Sequence, residues 1–311
     1  MKFKPDLWGL IIGGSSGFGL ATAKKLAAHG MNLCIVHRDR RGAMRRIEPD
    51  FEKLRSTGVK VLTLNLDALS NDGRTRVLDT LAQELGGTGK VRMLLHAVAF
   101  GNLKLLAPFQ GSGVPKSARQ KIAKKADIPS AIIDRIVQNA FETGTDSLHT
   151  LVDPPEYNNR QFLEKEDFAR TIQAMGFNIV EWVQDIFERK LFAKDARVLS
   201  MTSEGNSIAW KGYAAVSAAK AVLESISRSM AVEFAPYGIR SNVIQAGVTD
   251  TQALRAIPGH THIKAIASLR NPFGRLTTPE DVANVIFLLC MDEAAWINGA
   301  LIHTDGGERI A

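Results

Sequence analysis

Short apolar runs and stretches of helical spacing alternate along this 311-residue chain. Leu7–Ile12 has the length of a buried strand. It leads through a glycine-rich turn into LATAKKLAAHG, whose spacing is helical and which Gly30 closes. Further strands are predicted over Asn32–His37, Val59–Leu64, Val91–Ala97, Ala196–Met201, Gly238–Gln245 and Ala300–His303. Long helices are expected from Asp167 to about Lys190 and from Tyr213 to about Phe234. Another is expected over PEDVANVIFLLC, where Pro279-Glu280-Asp281 makes a favourable start. Strands alternating with helices imply an α/β fold on a doubly wound parallel sheet.

The alternation breaks between about residues 102 and 166. There Ile122, Ala126, Ile132, Ile133, Ile136, Val137 and Phe141 keep helical spacing, interrupted at Pro129, and the stretch ends in a loop at Asp153-Pro154-Pro155. We expect one domain over 1–311 with a helical insertion at about 102–166, after the fourth strand. Insertions of this length usually cover a site or make an interface.

Two stretches carry candidate chemistry. The first is Gly13-Gly14-Ser15-Ser16-Gly17-Phe18-Gly19, set between a strand and a helix. Glycines there permit positive φ and close backbone approach, and the helix N-terminus offers free N–H groups to a phosphate. A tight turn with no ligand is the plainer alternative. In this context the motif points to a dinucleotide. After the second strand, an acidic residue would suit the ribose 2′-OH of NAD. The chain instead has Arg38-Asp39-Arg40-Arg41, with Arg45 and Arg46 beyond. Arginines suit a 2′-phosphate by charge and planar geometry, which favours NADP(H) over NAD(H), although a solvated basic helix start would look the same. Asp67, at the end of the third strand, is suited to the adenine amino group or to capping the next helix.

The second stretch is Ser203–Lys220, SEGNSIAWKGYAAVSAAK. It holds a hydroxyl, a phenol and an ammonium at Ser203, Tyr213 and Lys220. On a helix, Tyr213 and Lys220 would share one face, roughly 10 Å apart along the axis. A cation near a phenol favours the phenolate and lowers its pKa, which makes the phenol a useful proton donor near neutral pH.

The net charge of +7 and pI near 9.4 suit acidic partners or a phosphorylated ligand, or simply a basic solvated surface. The basic residues are dispersed and lack interleaved aromatics, which argues against nucleic acid. Cys34 and Cys290 each sit in an apolar run with no metal-ligand spacing, as expected of buried thiols in a reducing compartment. The apolar run after MKFKPD is short and enters the glycine turn directly, so it reads as a strand rather than a signal peptide. No apolar segment approaches a membrane span.

Together these residues resemble the short-chain dehydrogenase/reductase superfamily over about 7–101 and 167–307. Its Thr-Gly-x-x-x-Gly-x-Gly turn is present with Ile12 in the Thr slot. Most members have Tyr with three residues between it and Lys; that slot here is Val216. The six-residue spacing of Tyr213 and Lys220, His96-Ala97-Val98-Ala99-Phe100, and Ala246-Gly247-Val248-Thr249-Asp250-Thr251 instead resemble the branch typified by enoyl-acyl-carrier-protein reductases. Ser203 stands where that branch often has a second Tyr, and where the ketoreductase-type branch keeps its catalytic Ser. The helix Asn of the ordinary branch would fall near Gly176, two residues from Asn178.

The resemblance implies a Rossmann fold with Tyr213, Lys220 and Ser203 as catalytic residues. It implies a cofactor site made by Gly13, Ser15, Ser16, Gly17, Phe18, Gly19, Arg38, Leu66, Asp67, Ala97, Val98, Lys220, Val248, Thr249 and Thr251, with no metal. It further implies a cytoplasmic reductase of enoyl thioesters in fatty-acid synthesis, assembled as a homotetramer or homodimer. Its substrate would be an acyl thioester, with an acidic acyl carrier protein as a candidate partner for the insertion's lysines; a solvated helix face is the plainer account of those lysines. A carbonyl or 3-ketoacyl reductase using the same residues, and a non-catalytic NADP(H)-sensing protein, are the alternatives.

Overall fold

Continuous apolar runs become the strands of one parallel sheet. The computed structural model describes residues 3–111 and 113–311; Met1 and Lys2, ahead of the first strand, lie outside it. Among the described residues the strands are β1 (Leu7–Ile12), β2 (Asn32–His37), β3 (Val61–Asn65), β4 (Lys90–His96), β5 (Phe192–Ser203), β6 (Ile239–Ala246) and β7 (Leu301–Thr304). They pair in the order β3-β2-β1-β4-β5-β6-β7, all parallel. Every residue of β2 is buried, as a strand covered on both faces requires. The sheet reverses direction of build between β1 and β4. That is the switch point where open α/β sheets form a crevice at the carboxyl ends of their strands.

Helices cover both faces. α1 (Gly17–Ala28), α2 (Arg41–Arg55) and, late in the chain, α11 (Pro279–Leu289) bury Leu26, Phe51 and Ile286 with Ile11, Ile35 and Leu95. On the other face α3 (Asn71–Leu85), α7 (Asn178–Glu188) and α8 (Ala214–Glu233) bury Leu78, Trp182 and Leu223 with Leu10, Val36 and Leu94. Two strand arginines reach across to finish α11: Arg197 Nε donates to Leu289 O at 2.8 Å and Arg92 Nη2 to Cys290 O at 2.9 Å. These supply donors and positive charge to a helix end that needs both. Cys34 and Cys290 are free and fully buried, one in each core. Burial pushes both thiols up, Cys290 to about 12.

Between β4 and β5 lies a stretch with helices of its own. It contains α4 (Val114–Ala126) and α5 (Ser130–Glu142), broken at Pro129, and a single 3-10 turn at Asp146–Leu148. Its own small core of Ile133, Val137, Phe141 and Val152 packs on Ala265 of a helix from the later excursion. Buried Arg119 ties it together, donating to Asp134 Oδ1 at 2.5 Å, Leu151 O at 2.5 Å and Asp153 Oδ1 at 2.9 Å.

Several boundaries differ from the sequence reading. β5 extends well beyond Ala196–Met201 at both ends. The helix expected from Asp167 to Lys190 is two helices, α6 (Lys165–Ile172) and α7, joined by a π turn at Gln173–Phe177. Ala174 and Met175 of that turn pack on Val216 and Ala219 of α8, so the wider turn accommodates tertiary packing that periodicity does not register. The excursion after β6 folds as α9 (Gln252–Arg255) and α10 (His260–Arg270). No helix among the described residues is long and apolar enough to cross a membrane.

Candidate active site

A cavity of about 260 Å³ opens where β4, β5 and β6 end. Ala97, Val98 and Ala99 follow β4 along one wall, and Met201, Thr202 and Ser203 end β5 along another. Leu254, Ile257 and Ile263 of the excursion close it from above. The lining is mainly apolar, with a few polar groups set into it, the usual character of a small-molecule site.

Tyr213 stands one residue outside α8, as its N-cap, rather than on the helical face the spacing suggests. From there its phenol oxygen meets Ser203 Oγ at 3.3 Å. Burial pushes the phenol up, and the Ser203 hydrogen bond opposes this. The lowering by Lys220 that the spacing suggests is not seen. Lys220 is buried inside α8 and its Nζ donates to Met201 O at 2.7 Å. Burial pulls this ammonium down from 10.5 to about 8, with Glu224 pulling the other way. The ammonium is felt by His96 at the end of β4. Burial first, and then the Lys220 charge, hold that imidazole at about 4, so it is neutral near pH 7. His96 Nε2 lies 3.3 Å from Asn178 Oδ1, which also accepts from Trp182 Nε1 at 3.1 Å.

The glycine turn offers donors that suit a phosphate group. Gly13 has φ +90°, and a side-chain carbon there would fall 2.7 Å from Ala97 O. The first-turn amides of α1 have no intrahelical acceptors. Ser16, its N-cap, makes no capping bond with its side chain, so the cap supplies no side-chain acceptor to those amides. This donor set suits a dinucleotide pyrophosphate. At the far end of the crevice, Arg38 Nη1 pairs with Asp67 Oδ2 at 3.2 Å. Asp67 Oδ1 also accepts from Leu69 N at 3.1 Å, while the cap of α3 is Ser70, which accepts from Gly73 N. Asp39 is turned inward to His37 Nδ1 at 2.9 Å. Among the described residues, no cluster of His, Cys, Asp or Glu could hold a metal ion.

Residues 149–308 match the family model described as enoyl-(acyl carrier protein) reductase, and residues 8–113 match that described as short chain dehydrogenase. The chain belongs to the short-chain dehydrogenase/reductase superfamily. It is an oxidoreductase of that superfamily. One relative, cis-4-hydroxycyclohexanecarboxylate dehydrogenase of Sinomonas cyclohexanicum, is 27% identical over 299 residues, covering 96% of this chain and 94% of its own. The NADH-linked enoyl-[acyl-carrier-protein] reductase of Escherichia coli (strain K12) is 32% identical over 155 residues, covering 47% and 58%. The crystal structure of enoyl-[acyl-carrier-protein] reductase (NADH) from Aquifex aeolicus VF5 superposes with a TM-score of 0.71 at 19% identity, covering 98% and 96%. That likeness bears on the fold.

Within this superfamily site, the cavity gathers Phe18, Ala97, Val98, Ser203, Tyr213, Lys220, Val248, Thr249 and Thr251 from the residues named by sequence. Gly13, Ser15, Ser16, Gly17, Gly19, Arg38, Leu66 and Asp67 lie outside it, along the ends of β1 to β3. Thr251 also caps α9, accepting from Leu254 N at 3.2 Å. Sequence reasoning missed Glu204 and Trp210, which line the cavity, and the buried link between His96 and Asn178. Glu204 directly follows Ser203, but nothing in its local sequence says that it is buried.

Proposed function

We propose that the protein reduces the C2–C3 double bond of an enoyl thioester with NADPH. The observation that carries this reading is the placement of the phenol. Val216, the slot four residues before Lys220, is buried and lines the cavity as an apolar residue, while the phenol in the lining comes from Tyr213. The similarity to an enoyl-acyl-carrier-protein reductase of Escherichia coli supports the same reading.

The bound nicotinamide supplies the hydride. Ser15 to Gly19 bind its pyrophosphate through backbone N–H groups, and Val248 to Thr251 hold the nicotinamide end against the cavity. Arg38 attracts a 2′-phosphate; Asp39, already engaged by His37, does not compete for the ribose hydroxyl. Tyr213 donates a hydrogen bond to the thioester oxygen as negative charge gathers on it, an interaction stronger in the transition state than in the ground state. A phenol pushed up by burial keeps its proton and serves as that donor. Ser203 orients the phenol. Lys220 orients the cofactor ribose and brings positive charge to the site. The apolar lining excludes water and takes the acyl chain.

The exposed lysines of α4, Lys116, Lys121, Lys124 and Lys125, form a surface complementary to an acidic carrier protein. A cytoplasmic homotetramer or homodimer completes the reading, and light scattering on a sizing column tests the assembly.

The Ser203–Tyr213 pair favours a second reading. Two hydroxyls 3.3 Å apart also suit the oxygen of a ketone or secondary alcohol, and a full-length relative is named as a hydroxy-acid dehydrogenase. Initial rates with crotonyl and acetoacetyl thioesters, each with NADPH and NADH, decide between them. Faster turnover of acetoacetyl thioester would reject enoyl reduction.

A further inference from the structure

A buried charge cluster stands behind the wall that carries Ser203 and Val248. Glu204 is 7% exposed and Glu308, four residues after Thr304 in β7, is 1% exposed. Both carboxylates face one guanidinium. Arg270 Nη2 donates to Glu204 Oε2 at 2.6 Å and to Glu308 Oε1 at 3.1 Å. The other oxygen of Glu308, Oε2, accepts the Val248 amide N–H at 3.1 Å. A side-chain carbon on Gly247 would come within 2.8 Å of that oxygen, so the glycine is what lets the carboxylate reach the turn.

Two carboxylates sharing one cation in a dehydrated place are costly to assemble. Burial pushes the Glu308 carboxyl up; the Val248 amide opposes this, and the Glu204 charge adds to it. The three side chains join segments that all border the cavity. Glu204 leaves the end of β5, Arg270 ends α10, and Glu308 grips the turn after β6. Glu204, Val248 and Ile263 of α10 all line that cavity.

We propose that Arg270 and Glu308 are positioning residues, which hold the turn after β6 and the Ser203 end of β5 in the arrangement that receives the nicotinamide cofactor. This rests on the dinucleotide part of the reading above, and is independent of which carbonyl compound is reduced. A purely structural ion pair would stabilise the fold without regard to how the Val248 amide is held.

Glu308→Gln separates the two roles, because its amide oxygen still accepts from Val248 while its charge is gone. Glu308→Ala removes both. Hydrogen exchange at residues 247–251 and the KM for the cofactor are measured for each. Loss of a hydrogen bond to a charged group corresponds to about a tenfold change. Glu308→Ala should speed exchange at 247–251 and raise the cofactor KM, each by about that factor, with a smaller effect on kcat. Glu308→Gln should recover most of both. Unchanged exchange in Glu308→Ala, or equal effects of the two substitutions, would overturn the proposal. If Glu308→Ala does not fold, Arg270→Lys carries the test. Its shorter side chain sets the ammonium back from the point where Arg270 Nη2 meets both carboxylates, so exchange at 247–251 should rise; no rise would overturn the proposal. If the wild type binds neither NADH nor NADPH, the dinucleotide reading fails, and with it the cofactor role proposed here. In that case accelerated exchange would mark the cluster as structural only.

Discussion

Ser203 Oγ and Tyr213 Oη stand 3.3 Å apart, one at the end of β5 and the other just before α8. The intervening loop folds back so that two hydroxyls separated by ten positions meet at the cavity. Their environment is dry, and the phenol is therefore held protonated. The same contact supports enoyl and ketone reduction, because either reaction needs a donor to an oxygen that gains negative charge.

Removing that donor should be decisive. Tyr213→Phe is expected to lower kcat/KM for a crotonyl thioester by about 10²- to 10⁴-fold, the range of a lost general acid, with NADPH binding little changed. Stopped-flow turnover and fluorescence titration of the cofactor provide the check. Near wild-type turnover would remove Tyr213 from the reaction.

Arg38 is exposed and paired only with the exposed Asp67, so little fold stability depends on it. Arg38→Ala should therefore raise the KM for NADPH by about tenfold through loss of a charged hydrogen bond, and leave NADH nearly unchanged. Equal effects on the two cofactors, measured as a ratio of kcat/KM values, would reject the 2′-phosphate role.

Lys220 titrates at about 8 in the fold against 10.5 for the free side chain. Below pH 8 both folded and unfolded chains carry the charge, and burying it costs on the order of 3 kcal/mol. Between about pH 8 and 10.5 the folded form gives up its proton first, so the cost fades as pH rises. Lys220→Met should then be inactive yet no less stable than wild type at pH 7, with its stability advantage shrinking by pH 10. Thermal melts at both pH values test this. Activity of the wild type should fall as pH rises through about 8, as the ammonium that orients the ribose is lost.

Arg119 holds three acceptors inside the insertion. Arg119→Ala removes ion pairs to the solvent-exposed Asp134 and Asp153 and the donor to the Leu151 carbonyl, a loss of about 1–2 kcal/mol. The expected result is faster proteolysis within residues 114–157 while the sheet stays intact. Limited trypsin digestion followed by mass analysis reads this directly; cleavage spread evenly over the chain would contradict a local role.

The fold was legible where burial is two-sided. β1, β2 and β4 are buried almost throughout and mainly apolar because helices cover both their faces, and their limits in the sequence match their limits in the structure to within a residue. The π turn at Gln173–Phe177 was hidden, since residues of a bulged helix keep helical composition; the irregularity exists only against Val216 and Ala219. At the site, Tyr213 and Lys220 were visible by spacing and the glycine turn by its context. Glu204, Arg270 and Glu308 were not, because each looks like a surface charge until segments up to 104 positions apart are brought together, as Glu204 and Glu308 are. Lys220 was recognised as an ammonium near a phenol, but the acceptor it uses, Met201 O, is a backbone atom that no side-chain pattern announces.

The two cysteines lie on opposite faces of the sheet, each fully buried and each with its thiol pushed up by burial. Thiolate is the reactive form, so neither should meet an alkylating reagent while the sheet is closed. The chain thus carries its own internal clock for opening: labelling of Cys34 reports exposure of the face covered by α3, α7 and α8, and labelling of Cys290 reports release of α11. Comparing their rates would show whether the two halves of the sandwich come apart together or one at a time.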